Sequence, residues 1–242
     1  MEPRLLNREG LTRSAVVANC AMNRERQLEG PNSYARELGF HPLEWLRTRL
    51  PESGPASDDW LVSWLDLCCG TGRALMQAAD QVRNDGLASQ ISLIGVDLVD
   101  YFVPGPEADP PLRLICADVS LWTPESRPES TFDLITCVHG LHYIGDKLAV
   151  LARAATWLAD DGRLVADFDP ACVRLPGGGP AGRALISALR QAGFTYSPRR
   201  HRITCAGRRE VALPYSYLGA DDQAGPGYTG QPAVNSYYRR LA

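Results

Sequence analysis

The sequence predicts an α/β fold built on a mostly parallel, doubly wound sheet. Three observations predict it. Between Trp60 and Phe168, short apolar runs alternate with helix-length amphipathic runs. The short runs, such as WLVSWLDLC and ISLIGVDL, are apolar almost throughout rather than at every second residue, as strands covered on both faces must be. A glycine-bearing turn, CCGTG, joins the first strand to the first helix, where open α/β sheets hold ligands beyond their strand ends.

Residues 1–57 read as an N-terminal helical cap and residues 58–242 as the core domain. In the cap, NSYARELGF opens on the capping residues Asn32 and Ser33 and stops at Gly39. HPLEWLRTRL has Pro42 near a first helical position and Leu43, Leu46 and Leu50 on one face. PESGPAS then breaks the pattern. In the core, strands are expected at WLVSWLDLC, ISLIGVDL, LRLICAD, FDLITCV and RLVADFD, and helices at GRALMQAADQVRNDG, DKLAVLARAATWLADDG and RALISALRQAGF. VDYFVPGPEADPP lies between the second and third strands. Its Pro104, Pro106, Pro110 and Pro111 leave no room for a long crossover helix. Beyond Thr195, HRITCAG and REVALPYSYLG suggest an antiparallel pair at one end of the sheet. The last stretch, rich in Gly, Pro and Tyr, reads as an ordered wrap or a mobile tail.

Hydrophobic residues make up 45% of the 242-residue chain and charged residues 22%, enough apolar material for a packed core. A net charge of -3 argues against a nucleic-acid partner over the whole surface, which needs excess Lys and Arg against phosphates. No apolar run approaches the roughly 20 residues of a membrane span, and the first residues lack an apolar signal core. The seven cysteines show no CxxC or His-rich spacing. They read as reduced thiols of a cytoplasmic protein, with no metal site expected.

The glycine turn lacks the third glycine of a dinucleotide fingerprint and the G-K-S/T of a P-loop, so both phosphate readings are weak. Acids stand instead at successive strand ends. Asp66 would repel a phosphate and suits a cation. Asp97 suits the vicinal hydroxyls of a ribose, and Asp118 an exocyclic adenine amine. A cofactor with an amino-acid end, a ribose and an adenine but no phosphate fits the three in order, and S-adenosylmethionine is that molecule.

LDLCCGTG, GVDL, CADV and FDLITCVHGLHYI together resemble the ordered motifs of class I S-adenosylmethionine-dependent methyltransferases. The resemblance covers roughly residues 60–168. It implies a Rossmann-like sheet of seven strands with an antiparallel last strand. It places Asp66, Gly70, Thr71 and Gly72 at the methionine end of the cofactor, Asp97 and Leu98 at the ribose, and Asp118 and Val119 at the adenine. Cys137 and Val138 close the fourth strand beneath the cofactor, and Tyr34 in the cap is the candidate for closing over its methionine end. Cys68 occupies the place of the family's first glycine, where its Cβ narrows the approach.

His139, His142 and Tyr143 follow the fourth strand, where the family turns groups toward the acceptor. Each is a candidate base or acid, with packing the favoured reading. The expected activity is methyl transfer to a small molecule or peptide by a monomer or homodimer. Two alternatives stand beside it. One is an RNA or protein methyltransferase using the basic cluster Arg199 to Arg209. CVHGLHY in place of an NPPY-like motif weakens that reading. The other is a cofactor-binding protein without catalysis.

Overall fold

A computed structural model of the chain describes residues 4–17, 26–51, 62–102, 111–125 and 131–241. The division at residue 57 and Pro104, Pro106 and Pro110 lie outside the described residues.

The elements that build the core follow the expected alternation. They are β1 (Val62–Leu67), α4 (Arg73–Asn84), β2 (Ile91–Asp97), β3 (Leu112–Cys116), β4 (Phe132–Cys137), α5 (Lys147–Thr156) and β5 (Leu158–Asp167). Before them stand three short helices, α1 (Arg8–Thr12), α2 (Tyr34–Leu38) and α3 (Pro42–Arg47). After them come β6 (Val173–Arg174), α6 (Gly182–Gln191), β7 (Phe194–Ser197), β8 (Arg202–Ala206), β9 (Tyr215–Asp221) and β10 (Asn235–Arg240). Local chemistry sets several ends. Ser33 caps α2, and Gly39 closes it in the left-handed conformation. Pro42 opens α3, and Asp146 caps α5 through Ala149 N at 3.1 Å.

Seven strands form one sheet in the order β3-β2-β1-β4-β5-β8-β7. All are parallel to their neighbours except β8, which runs antiparallel to both β5 and β7. The strand order reverses at β1 and β4, so a crevice opens beyond the ends of those two strands. Helices cover both faces. Leu75, Ala78 and Val82 of α4 pack on one side with Leu43 and Leu46 of α3. Leu148 and Leu151 of α5 and Leu185 and Leu189 of α6 pack on the other. Burying each such leucine stabilises the fold by about 1.5–3 kcal/mol. No helix among the described residues is long and apolar enough to cross a membrane.

Two expectations change, and one open alternative is decided. The antiparallel partner of β8 is β7, and β9 joins β10 and β6 in a separate three-stranded sheet. Pro214, directly before β9, divides the apolar run there. The helix expected through Gly162 stops at Thr156, because residues 158–162 already belong to β5 and bulge from its pairing with β4. The tyrosine-rich end is ordered: Tyr237 and Tyr238 of β10 are buried. Of the short N-terminal helices, α2 and α3 pack on the main sheet, while α1 packs with Ala220 of the small sheet and Val234 just before β10.

Candidate active site

A cavity of about 710 Å³ lies over the carboxyl ends of the parallel strands. Its floor begins at the glycine turn. Cys68, Gly70 and Gly72 all have φ near 60–72°, a left-handed conformation that glycine adopts freely and cysteine does not. The turn is pinned from below: Cys68 N donates to Val96 O at 2.7 Å, and Gly70 N to Asp97 Oδ2 at 2.8 Å. Room for the Cys68 side chain comes from Gly140, where a Cβ would stand 2.2 Å from that of Cys68. A hydrogen bond with Cys137 and burial push the Cys68 thiol well above its ordinary pKa, so it stays protonated.

Cys68, Gly70, Thr71, Asp97, Leu98, Asp118 and Val119 all line this cavity. Asp97 sits at the end of β2, 8% exposed. One of its oxygens takes Gly70 N and the other Val99 N at 3.2 Å. Burial raises its pKa, and those backbone N–H groups oppose the rise. Asp118 follows β3, capping its own turn through Ser120 N at 2.8 Å and facing Arg8 of α1 at 3.4 Å. Beside it, Val119 O accepts from Arg153 of α5 at 2.8 Å.

Asp66 and Gly72 are not among the lining residues. Asp66 is fully buried beneath Tyr34, whose hydroxyl donates to Oδ2 at 2.6 Å. Its Oδ1 accepts from Thr136 at 2.5 Å, and Thr136 accepts from Trp64 Nε1 at 2.7 Å. Burial pushes the Asp66 carboxyl up to about 7, against the pull of both hydrogen bonds. Tyr34 itself lines the cavity, so a cofactor's amino end would meet the tyrosine first. Gly72 serves packing instead: a Cβ there would come within 2.8 Å of Leu114 Cδ1.

The loop after β4 sorts its candidates. Val138, His139 and Tyr143 line the cavity, whereas Cys137 and His142 do not. His142 is 3% exposed, and burial drives its pKa down to about 3. Its ring stands behind the wall, 5.2 Å from that of Tyr228. His139 has φ 63°, and its Nε2 points between Glu37 and Asp167.

The roof combines two tyrosines of the C-terminal tyrosine-rich stretch, whose rings suit either covering a sheet edge or lining a substrate pocket, with residues that the sequence reading did not single out. Arg8, Leu11 and Thr12 of α1, Glu37 of α2, Tyr217 of β9, and Tyr228, Thr229 and Gln231 all line the cavity. Asp167, at the end of β5, stands at a strand end like Asp97, and that position was the available signal. The tyrosines divide: Tyr217 and Tyr228 face the cavity, whereas Tyr238 packs inside with its hydroxyl 3.0 Å from Asp146. Of the basic cluster, Arg199, Arg200 and Arg208 are exposed, whereas Arg202 is buried and donates to Leu38 O.

A family profile described as "Methyltransferase domain" matches residues 33–197. No curated protein sequence matches the chain. Among solved structures, the chain is similar to the plantazolicin methyltransferase BpumL in complex with a monoazolic desmethylPZN analog and SAH. That match has 16% identity over 54% of this chain and 46% of that one, with a TM-score of 0.37. It is similar to SAM-bound CalS10, an amino pentose methyltransferase from Micromonospora echinaspora, at 19% identity over 62% and 54%, with a TM-score of 0.36. It is also similar to the [4+2]-cyclase SpnF, at 17% identity over 80% and 74%, with a TM-score of 0.45. The chain spans about half the length of the first of these structures. The family match runs from the cap of α2 through the end of β7 and takes in every strand end that floors the cavity. The chain belongs to the methyltransferase-domain family, as the class I reading of its motifs expected.

Proposed function

We propose that the chain transfers a methyl group from S-adenosylmethionine to a small molecule or peptide bound in the same cavity. The observation that carries this reading is the order of groups on the floor. The glycine turn, Asp97 and Asp118 line one cavity, and in this reading they take the methionine end, the ribose and the adenine in turn. Asp97 would accept from the ribose hydroxyls and the Asp118–Val119 turn would hold the adenine. Tyr34, backed by Asp66, would meet the amino-acid end.

The cofactor supplies the electrophile. The acceptor's lone pair forms the new bond to the methyl carbon. The carbon–sulfur bond breaks, and its electron pair stays on sulfur as a neutral thioether. The chain's share is alignment of acceptor, methyl carbon and sulfur, and exclusion of water. In this reading His142 has no part as a base, because it does not line the cavity and burial lowers its pKa to about 3, too low to hold an abstracted proton. Of the candidate acids and bases in this loop, His139 and Tyr143 line the cavity. The enclosing roof favours a small molecule or a peptide segment over a structured nucleic acid. A cytoplasmic monomer or homodimer accords with this reading.

The test is incubation of the chain with methyl-labelled S-adenosylmethionine and pools of small hydroxylated and amino metabolites and short peptides, read by mass spectrometry. A labelled product together with S-adenosylhomocysteine supports the reading. Cofactor binding without any labelled product across those pools counts for a binding protein without catalysis.

A further inference from the structure

At the wall of the cavity stands a group of side chains that methyl transfer, as argued above, leaves unused. Glu37 of α2, His139 after β4 and Asp167 at the end of β5 bring a carboxylate oxygen, an imidazole nitrogen and a second carboxylate oxygen within 4.8 Å of one another. His139 Nε2 lies 3.4 Å from Asp167 Oδ2 and 3.7 Å from Glu37 Oε2. Glu37 and His139 line the cavity itself.

The three groups stand at ion-pair distances, yet two of their atoms make no hydrogen bond. Asp167 is 5% exposed, and its Oδ2 has no hydrogen-bond partner among the described residues. His139 Nε2 is likewise buried without one. Their separation exceeds the roughly 2.7–2.9 Å of a charge-assisted bond. Arg202 approaches only the other oxygen, Oδ1, at 3.9 Å, and its Nη1 is committed to Leu38 O. An orphaned oxygen on a buried carboxylate costs free energy until a positive group meets it. His139 also holds a left-handed backbone that a side-chain-bearing residue adopts at a cost, and this conformation aims its ring at the two carboxylates.

We propose that Glu37, His139 and Asp167 bind one divalent cation of the Mn²⁺ or Zn²⁺ class, whose open coordination positions face the cavity and take an oxygen of the methyl acceptor. One imidazole with two carboxylates suits borderline and hard divalent ions rather than soft ones. Metal–ligand distances of about 2.0–2.2 Å put two ligands on one ion no more than about 4.4 Å apart, so the three atoms, within 4.8 Å of one another, draw together around the ion. The spacing of 37, 139 and 167 along the chain hides the site from any motif. The cation acts as a Lewis acid on an acceptor hydroxyl and lowers its pKa. The hydroxyl proton leaves to water, the oxygen–methyl bond forms, and the sulfonium leaves as a neutral thioether. The acceptor clause rests on the methyl-transfer reading; the cation site does not.

The test uses the full chain stripped of metal, with MnCl₂ or ZnCl₂ alone as the probe. Calorimetry and Mn²⁺ spin resonance should show one ion bound, with the spin echo of the Mn²⁺ complex reporting one imidazole nitrogen, a result that needs no variant. Glu37→Gln, Asp167→Asn and His139→Asn should each weaken binding at least about tenfold. Asparagine tolerates the left-handed backbone at 139, and circular dichroism checks each fold. Absence of stoichiometric binding by either metal overturns the site. Unchanged affinity in a folded Glu37→Gln/Asp167→Asn double variant does the same. Metal binding that leaves labelled methyl transfer to hydroxylated acceptors unchanged overturns the acceptor clause. Failure of S-adenosylhomocysteine to bind defeats the methyl-transfer reading and leaves the metal titration standing on its own.

Discussion

The floor and the roof of the cavity are built by different physics. The floor is the end of a parallel sheet. Its side chains are held by strands buried on both faces, with Trp64, Leu65, Leu93 and Leu134 wholly excluded from solvent. The roof is assembled from the first and last parts of the chain. Two backbone hydrogen bonds join Leu6 and Ala220, and Ser14 meets Asp222 at 2.6 Å. Among the described residues, its apolar cluster has Leu11, Ala220 and Val234 buried. A rigid floor beside a lightly packed roof fits a division of labour in which the floor fixes the cofactor and the roof selects and encloses the acceptor. Local opening draws on the less densely packed parts of a fold.

The largest effect is expected where floor and roof are tied together. Lys147 of α5 is 1% exposed, and its Nζ donates to Ile144 O at 2.6 Å, Val234 O at 2.9 Å and Ser236 Oγ at 2.8 Å. Lys147→Ala leaves those acceptors unmet and a void behind them, and should cost about 2–4 kcal/mol in urea unfolding. A loss under about 0.5 kcal/mol, the scale of a neutral surface change, would show that the small sheet does not depend on this tie.

Next comes Asp97, which pins the glycine turn, lines the cavity and, in the proposed reading, meets the ribose. Asp97→Ala should lower S-adenosylhomocysteine affinity at least about tenfold, since each charge-assisted bond lost is worth about 1.5–3 kcal/mol. Unchanged affinity in a folded variant would mean that the carboxylate serves the turn alone.

The floor also carries a pH signature. Asp66 titrates near 7 in the fold, against about 3.9 for an exposed aspartate. Between those values the folded chain binds a proton that the unfolded chain releases. Stability without cofactor is therefore greatest below about pH 4 for this group and declines as pH rises through 7, by up to about 1.4 kcal/mol per pH unit. Asp66→Asn should flatten that slope in thermal melts from pH 4 to 8. An unchanged slope would assign the proton elsewhere.

How much of this was legible follows the same division. Asp97, Asp118 and the glycine turn were readable because each sits at the end of its own apolar run, a local signal that needs no partner. The roof gave no such signal. Arg8 meets Asp118 from 110 residues away and Ser14 meets Asp222 from 208. The pairing of β9 with β10 was hidden for the same reason, because an apolar run names a strand and not its neighbour. His142 looked like a candidate base by its place after β4, whereas the structure buries it outside the cavity lining. Cys68 reads as a defect in the motif until Gly140 is seen making room for it.

The smallest effect belongs to the rim. Arg8 is half exposed and 3.4 Å from Asp118, a geometry worth about 0–1 kcal/mol. Arg8→Ala should change cofactor affinity less than about fivefold, and less still in high salt. A larger loss would make α1 part of the cofactor site proper.

The division between floor and roof is tested most directly by calorimetric titration of S-adenosylmethionine and its demethylated product into the wild type, Asp97→Ala and Tyr228→Ala, with NAD as control. The expected result is one cofactor bound by the wild type and no NAD. Binding should weaken at least about tenfold on Asp97→Ala, and should stay within about threefold of wild type on Tyr228→Ala. Equal losses from the two substitutions would contradict the division of labour, and NAD binding with no response to the sulfonium cofactor would contradict the reading of the floor itself.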